Sequence, residues 1–369
     1  MTTIRSLTSR LQRVPLTRPW AADVTSVGII ATHVVRSDGG EGWGFSWSPQ
    51  IGAPAVQSLL QQDIAPASVG RSAVPGEAWQ SLWEHLHEAG GGGITTIALA
   101  GLDLALWDAE ARAADTSVSR LIGYRRERVR AYGSGVNLHY PLEELLAQVQ
   151  RWIDAGFDAV KIKVGKPDLS EDIERVAAVR ALLGPDRALM IDANQRWDLD
   201  RATTSIDALS RFDLAWIEEP LRADDLIGHT ELARRIDVPI AVGENLHTVH
   251  RFADFLRAGA AQIVQPNIVR VGGITPLLRI AGLAASHGVA LHPHLLPELS
   301  GQLALTLPDT AFEPLVEDVE DAGFGALGAL ADPSPVTIAD GFLTENEHHG
   351  LGIRFSPVLG DEAGRDLTI

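Results

Sequence analysis

Apolar and polar positions alternate with a period of two over residues 4–14 and 24–35, the pattern of strands with one buried face. Asp38-Gly39-Gly40 reads as a hairpin turn, and Gly42-Trp43-Gly44-Phe45 continues the sheet. Residues 54–62 and 77–88 read as helices. After the glycine run at 90–93, an Ala/Leu-rich helix spans 94–114, with Asp103 and Asp108 set among apolar residues. Trp79, Trp83 and Trp107 read as packing residues rather than a cofactor box. Residues 1–125 thus form an α+β unit that holds no complete catalytic constellation of its own.

From Val129 the rhythm changes. Short β-branched runs at 129–136, 160–164, 188–191, 214–217, 239–242, 262–264 and 289–292 alternate with helical stretches of ten or more residues. Strand–helix repetition at this density predicts a parallel sheet covered by helices and closed as a β/α barrel over residues 126–332. Residues 333–369 lose the rhythm, and Gly350-Leu351-Gly352-Ile353 predicts a return of the chain towards the first unit.

Composition narrows the function. With 369 residues, 45% of them apolar, the chain is long enough for two domains and a large core. A net charge of −17 without any basic run argues against nucleic acids and anionic membranes, but leaves room for an anionic substrate in a cleft of opposite field. There is no cysteine, hence no disulfide frame, thiolate nucleophile or Cys-ligated zinc. Neither a signal core nor an apolar run of membrane-spanning length is present, so the expected location is the cytoplasm.

Candidate chemistry centres on Val160-Lys161-Ile162-Lys163-Val164-Gly165. Lys161 and Lys163 fall on one face of a strand, where each ammonium disfavours the charge of the other. Together with Lys166 they are the only lysines in a chain that otherwise takes its cations from Arg. Lysine here marks a place where a proton has to leave. In a barrel of this kind chemistry sits at the C-terminal ends of the strands. Those ends carry Lys163, Asp192, Glu218, Glu244, Asn267, His294 and Glu317, separated by 29, 26, 26, 23, 27 and 23 residues, or about one strand–helix unit each. Asp192, Glu218 and Glu244 on three adjacent strands converge, and hard oxygen ligands with no Cys and no HExxH motif suit one Mg²⁺ ion. Glu219 competes with Glu218, but strand alternation lets only one of them face the ion, and Glu218 directly follows the apolar run. His292-Pro293-His294 offers two imidazoles, of which His294 stands at the functional position; His348-His349 reads as a solvated loop.

These motifs resemble the enolase superfamily, specifically its mandelate racemase-like subgroup, over nearly the whole chain. The resemblance implies a (β/α)7β-type TIM-like barrel beneath an N-terminal α+β capping domain whose loops choose the substrate. It implies Lys163 as the base that removes a proton α to a carboxylate, Lys161 as its partner at the substrate carboxylate, and Asp192, Glu218 and Glu244 as Mg²⁺ ligands. It further implies Glu317 as a hydrogen-bonding acid, His294 as the second proton-handling group, and residues 14–22 and 43–47 as lid segments. Arg18, Trp20 and Asn194 become substrate contacts. A homo-oligomer and a small-molecule carboxylate substrate are part of the same expectation.

One departure bears on the reaction. Asn267 stands where the subgroup usually places an Asp behind the histidine. An amide can hold an imidazole but supplies no negative charge to stabilise imidazolium, so His294 is expected to titrate near or below about 6.5. For Lys163, Lys161 and a bound cation favour the neutral amine while the ligand carboxylates oppose it. One base and one acid suffice to expel a β-hydroxyl, which favours dehydration of an acid sugar. The alternatives are a racemase or epimerase, which needs two competent bases, a lactone cycloisomerase, and, from another class, a metal-binding protein without turnover.

Overall fold

A computed structural model describes residues 1–20, 24–49, 51–310 and 313–356. Strands β1 (Ile4–Pro15), β2 (Ser26–Arg36) and β3 (Glu41–Ser48) form an antiparallel meander. The helix Ile94–Ala113 lies across it, buried almost all round and therefore lacking an amphipathic stripe. Glycines make that approach possible. A Cβ at Gly42 would stand 2.0 Å from the carbonyl oxygen of Ala105, and one at Gly44 would stand 2.3 Å from that of Gly101.

The second body contains eight parallel strands: β4 (Val129–Ser134), β5 (Ala159–Lys163), β6 (Ala188–Asp192), β7 (Leu214–Glu218), β8 (Ile240–Val242), β9 (Ile263–Val264), β10 (Ala290–Leu291) and β11 (Leu315–Val319). They pair in the order β11-β4-β5-β6-β7-β8-β9-β10, with helices between successive strands. This is the predicted (β/α)7β arrangement. Tyr132, Met190, Trp216, Ile263 and smaller residues from the other strands fill the barrel interior. Two further strands, β12 (Val336–Ala339) and β13 (Phe342–Glu345), form a hairpin that pairs with β4. Beyond it Gly350 makes a single bridge to Ser117, and Leu351 and Ile353 join the core shared with the first unit, so the chain does return there. Residues 357–369 of the expected C-terminal segment lie outside the described residues. No helix among the described residues is long and apolar enough to cross a membrane.

Between β10 and β11 the connection is made by a side chain. His292 Nδ1 accepts the Leu315 N–H at 3.0 Å, and its ring stacks on Trp216 with centroids 5.5 Å apart. Burial pushes this imidazole down to about 4, so it stays neutral and keeps the lone pair that the seam requires. His292 is therefore a closing element of the barrel.

Four side chains fasten the first unit to the barrel and to the segment that follows it. Trp79 Nε1 donates to the Gly272 carbonyl at 2.8 Å, and Trp107 Nε1 donates to Thr275 Oγ1 at 3.1 Å. Asp108 accepts the N–H groups of Trp43 and Leu351 at 2.9 and 2.7 Å. Asp103 accepts the Thr275 N–H at 2.9 Å, at the start of the helix Ile274–His287. Burial pushes the Asp103 carboxyl up to about 7 from an ordinary 3.8. Because the folded value is the higher one, its contribution to stability is full in acid and is lost as pH rises through about 7. Urea unfolding across that range should show the stability of the wild type falling towards neutral pH relative to Asp103→Asn, which keeps an acceptor without a charge. Parallel pH profiles for the two proteins would refute this account of Asp103.

Candidate functional site

The parallel register sets the charged residues side by side. Lys163 on β5 is the partner of Asp192 on β6, and Asp192 is the partner of Glu218 on β7. Adjacent strands lie about 4.8 Å apart, so three ionisable groups meet at the C-terminal edge of the sheet. Glu244 follows β8, Asn267 follows β9, His294 follows β10, and Glu317 lies within β11. All are buried.

Within this cluster each acid faces a base. Lys161 is fully buried, and its Nζ lies 2.7 Å from both Glu218 Oε2 and Glu317 Oε1. Lys163 Nζ is bonded to Asp192 Oδ2. His294 Nε2 lies 2.5 Å from Glu244 Oε2 and 3.3 Å from Glu317 Oε2. Burial pulls the pKa of Lys163 down, but Asp192 outweighs it and the net direction is upward. Glu317 is drawn down to about 2 against the push of burial, first by Lys161 and then by His294.

The expectation for His294 requires correction. Asn267 Nδ2 does lie 3.4 Å from His294 Nδ1, while Asn267 Oδ1 accepts the Arg270 N–H and caps the helix Ile268–Val271. The amide supplies no charge, as expected. Burial alone would also depress the imidazole, yet Glu244 and Glu317 on its other side raise it above its ordinary 6.5. The negative charge comes from strands two and one positions away around the barrel, not from the residue behind the ring.

The ligand geometry also differs in part from the sequence reading. Ligand atoms of Glu218, Glu244 and His294 all lie within 4.8 Å of one another. Asp192 stands beside this trio, engaged by Lys163 and 3.9 Å from Lys161. Glu219 follows the strand with φ of +39°, and its Oε2 accepts from Asn245 Nδ2 at 2.7 Å, so it turns away from the path of Glu218. Five carboxylates, those of Asp192, Glu218, Glu219, Glu244 and Glu317, outnumber Lys161, Lys163 and His294, even with Arg270 at the rim. Burial and the surrounding acids push Glu218 up to about 7 despite Lys161, and push Glu219 well above the carboxylate range. Glu218 Oε1 and Glu219 Oε1 are buried without any hydrogen-bond partner. An excess of hard, orphaned oxygen donors fits a divalent cation of the Mg²⁺ type.

Several contributors were not singled out from sequence. Ser134 Oγ donates to Glu317 Oε1 at 2.7 Å, Gln265 Nε2 donates to Glu218 Oε2 at 2.9 Å, and the Asn137 side chain accepts the Lys163 N–H at 2.9 Å. Gln265 directly follows β9, so the once-per-unit rule that found the others could also have found it.

A cavity of about 200 Å³ opens onto Lys163, Glu244, His294 and Glu317, and is roofed by Trp20, Trp47 and Pro49 from the N-terminal unit. It adjoins a larger one of about 680 Å³ that shares Trp20, Lys163 and Asn194 and adds Arg18. Trp20 and Asn194 thus line both cavities, whereas Arg18 lines only the larger one. The expected lid segment 43–47 divides: Trp47 reaches the site, whereas Trp43 stacks on His33 with centroids 4.9 Å apart. Ala21 and Ala22 of the other segment lie outside the described residues.

Comparison with known proteins agrees with this architecture. Residues 5–123 match the model for the mandelate racemase/muconate lactonizing enzyme N-terminal domain, and residues 144–358 match the enolase C-terminal domain-like model. A 3,6-anhydro-alpha-L-galactonate cycloisomerase of Streptomyces coelicolor is 36% identical, covering 88% of this chain and 88% of the relative. An L-talarate/galactarate dehydratase of Salmonella typhimurium is also 36% identical, covering 90% of this chain and 82% of its own. The crystal structure of L-talarate dehydratase from Polaromonas sp. JS666, complexed with Mg and L-glucarate, superposes with a TM-score of 0.86 at 36% identity, covering 97% of this chain and 96% of that one.

The paired charges make a direct prediction. Lys161→Met leaves Glu218 and Glu317 buried without their shared cation and should lower stability by about 3–5 kcal/mol. Adding Glu317→Gln should recover part of that loss, because one of the two stranded charges is gone. Denaturant titration of the metal-free proteins measures both, and additive losses would contradict the shared-cation arrangement.

Proposed function

Since the chain is an enzyme of the mandelate racemase/muconate lactonizing enzyme group of the enolase superfamily, we propose that it is a Mg²⁺-dependent acid sugar dehydratase. It removes the proton α to a carboxylate and expels the hydroxyl on the β-carbon. The observation that carries the reading is the placement of Lys163 and His294 on one cavity, with Glu244 and Glu317 beside the imidazole and only a neutral amide behind it.

Asp192, Glu218 and Glu244 would hold the metal, and the orphaned Oε1 of Glu218 supports the fit. Bound Mg²⁺ supplies positive charge against the negative charge that develops on the substrate carboxylate. As a ligand Asp192 would be drawn from Lys163, and burial beside Lys161 would then favour the free amine that accepts the α-proton. Lys161 keeps Glu218 and Glu317 in place and turns positive charge towards the carboxylate end of the substrate. Glu317, itself a carboxylate, orients Lys161 and His294 towards that end. His294, which keeps Glu317 Oε2 at 3.3 Å when Glu244 serves as a ligand, would act as the donor that delivers its proton to the departing hydroxyl. An epimerase would instead need His294 to start neutral, as a second base. Asn267 positions the ring, while Trp20, Arg18 and Asn194 contact the remainder of the substrate.

A cycloisomerase is the second reading, favoured by the Streptomyces coelicolor 3,6-anhydro-alpha-L-galactonate cycloisomerase, and a lactone substrate by a D-galactarolactone cycloisomerase of Agrobacterium fabrum, 32% identical over 89% of this chain. It uses the same two proton-handling groups with a ring oxygen in place of a free hydroxyl. The proposal extends to a cytoplasmic homo-oligomer, with a specificity cap over residues 1–125, a catalytic barrel over 126–332 and a C-terminal segment returning to the cap.

Incubation with pools of acid sugars and Mg²⁺, followed by mass spectrometry, tests the reaction. Loss of water is expected; an isomer of unchanged mass would favour cycloisomerisation or epimerisation, and no reaction with any pool would overturn the reading. Chelation should abolish turnover, and Glu218→Gln should weaken Mg²⁺ binding more than Glu219→Gln does. The reverse order in calorimetry would show the ligand choice to be wrong.

A further inference from the structure

The larger cavity beside the site is unusual in its charge. The chain carries 48 acidic residues against 31 Lys and Arg, so an arbitrary patch of surface should be acidic. Yet, among the described residues, the walls of this cavity hold Arg18, His139, Lys163, Lys166 and Arg196 and no Asp or Glu. It opens directly from Lys163 and Asn194, which it shares with the smaller cavity.

Not all of these cations are equally available. Arg18 is bonded to Glu144 and stacks over Tyr140, 3.7 Å from the ring centroid. Lys163 belongs to the Asp192 pair. Lys166 has only a loose partner, Glu171 at 3.7 Å, and is one-quarter exposed. The Arg196 guanidinium makes no hydrogen bond or ion pair among the described residues and is exposed.

The backbone beneath these two residues is fixed. The N–H groups of Gly165 and Lys166 both donate to Asp172 Oδ2, at 2.9 and 3.0 Å, and Asp172 is itself buried. Gly165 has φ of +104°, and a Cβ there would stand 2.7 Å from Arg196 Cδ. Glycine lets the arginine stem lie across the loop, next to Lys166. Burial, followed by Arg18 and Lys166, holds the neighbouring His139 imidazole below its ordinary value, as expected where the local field is positive.

We propose that Arg196 and Lys166 form a subsite for a second carboxylate, so that the acid sugar taken by this enzyme is a dicarboxylic, aldaric acid. The inference rests on the acid-sugar reading above and narrows it. One carboxylate occupies the end near Glu317 and Lys161, the α- and β-carbons lie between Lys163 and His294, and the far carboxylate reaches the basic cavity. Guanidinium offers the paired donors that a carboxylate accepts, and the ammonium adds a point charge. A monocarboxylic aldonic acid presents a neutral hydroxymethyl group there and leaves both cations unanswered.

Calorimetric titration of the Mg²⁺-loaded protein with matched pairs, galactarate against galactonate, glucarate against gluconate and arabinarate against arabinonate, tests the subsite. In at least one pair the diacid should bind about tenfold tighter or more than its monoacid. Arg196→Gln combined with Lys166→Gln should erase that preference, and Arg196→Lys should retain part of it. Equal or weaker binding of the diacid in every pair would overturn the proposal, as would equal loss of both members in the double variant. Turnover of the same compounds separates this outcome from failure of the underlying reading. Water loss from monoacids alone sinks the subsite and leaves the dehydratase standing. A diacid preference in binding without α-proton exchange from any compound sinks the dehydratase and leaves the subsite.

Discussion

The closed end of the barrel depends on the mutual neutralisation of buried charges. Lys161 bridges Glu218 and Glu317, Lys163 answers Asp192, and His294 answers Glu244. None of these groups is tolerable alone in a dry interior, and together they still leave an excess of acid. That excess turns a structural problem into a binding site. A divalent cation held there would answer the remaining orphaned oxygens, which belong to Glu218 and Glu219.

Everything outside this cluster serves to place it or to cover it. Barrel closure through His292 fixes β10 and β11, the two elements that carry His294 and Glu317. Asp103, Asp108, Trp79 and Trp107 lock the N-terminal unit onto the barrel, and that unit supplies the roof of the cavity through Trp20, Trp47 and Pro49. The candidate catalytic groups are thus placed at or just beyond strand ends, while the walls of the adjoining cavity come largely from loops. Such a division permits changes of substrate without disturbing the proton chemistry.

Much of the site was legible in sequence because it obeys the period of the fold. Polar residues placed once per strand–helix unit, just after apolar runs, identify strand ends before any coordinates exist. Lys163, Asp192 and Glu218 then prove to be register neighbours. Less legible were residues whose partners are distant in sequence. Asp103 and His292 read as an anomaly and a doubtful second imidazole; their roles depend on Thr275 and Leu315, which only folding brings near. The basicity of His294 is hidden for a related reason. Asn267, its counterpart on the preceding unit, supplies no charge, whereas Nε2 faces carboxylates from two other strands. A substitution behind a ring does not set its charge when stronger groups stand in front of it.

The account stands or falls on the division of labour between Lys163 and His294. The most direct measurement follows deuterium incorporation and water loss together by NMR in D2O, using an acid sugar that the wild type turns over. Lys163→Ala should lose α-proton exchange while still binding Mg²⁺, and His294→Asn should keep the exchange but fail to eliminate water. Exchange at the wild-type rate in Lys163→Ala would move the base elsewhere. Equal loss of exchange and elimination in His294→Asn would make His294 itself the base and contradict the assignment.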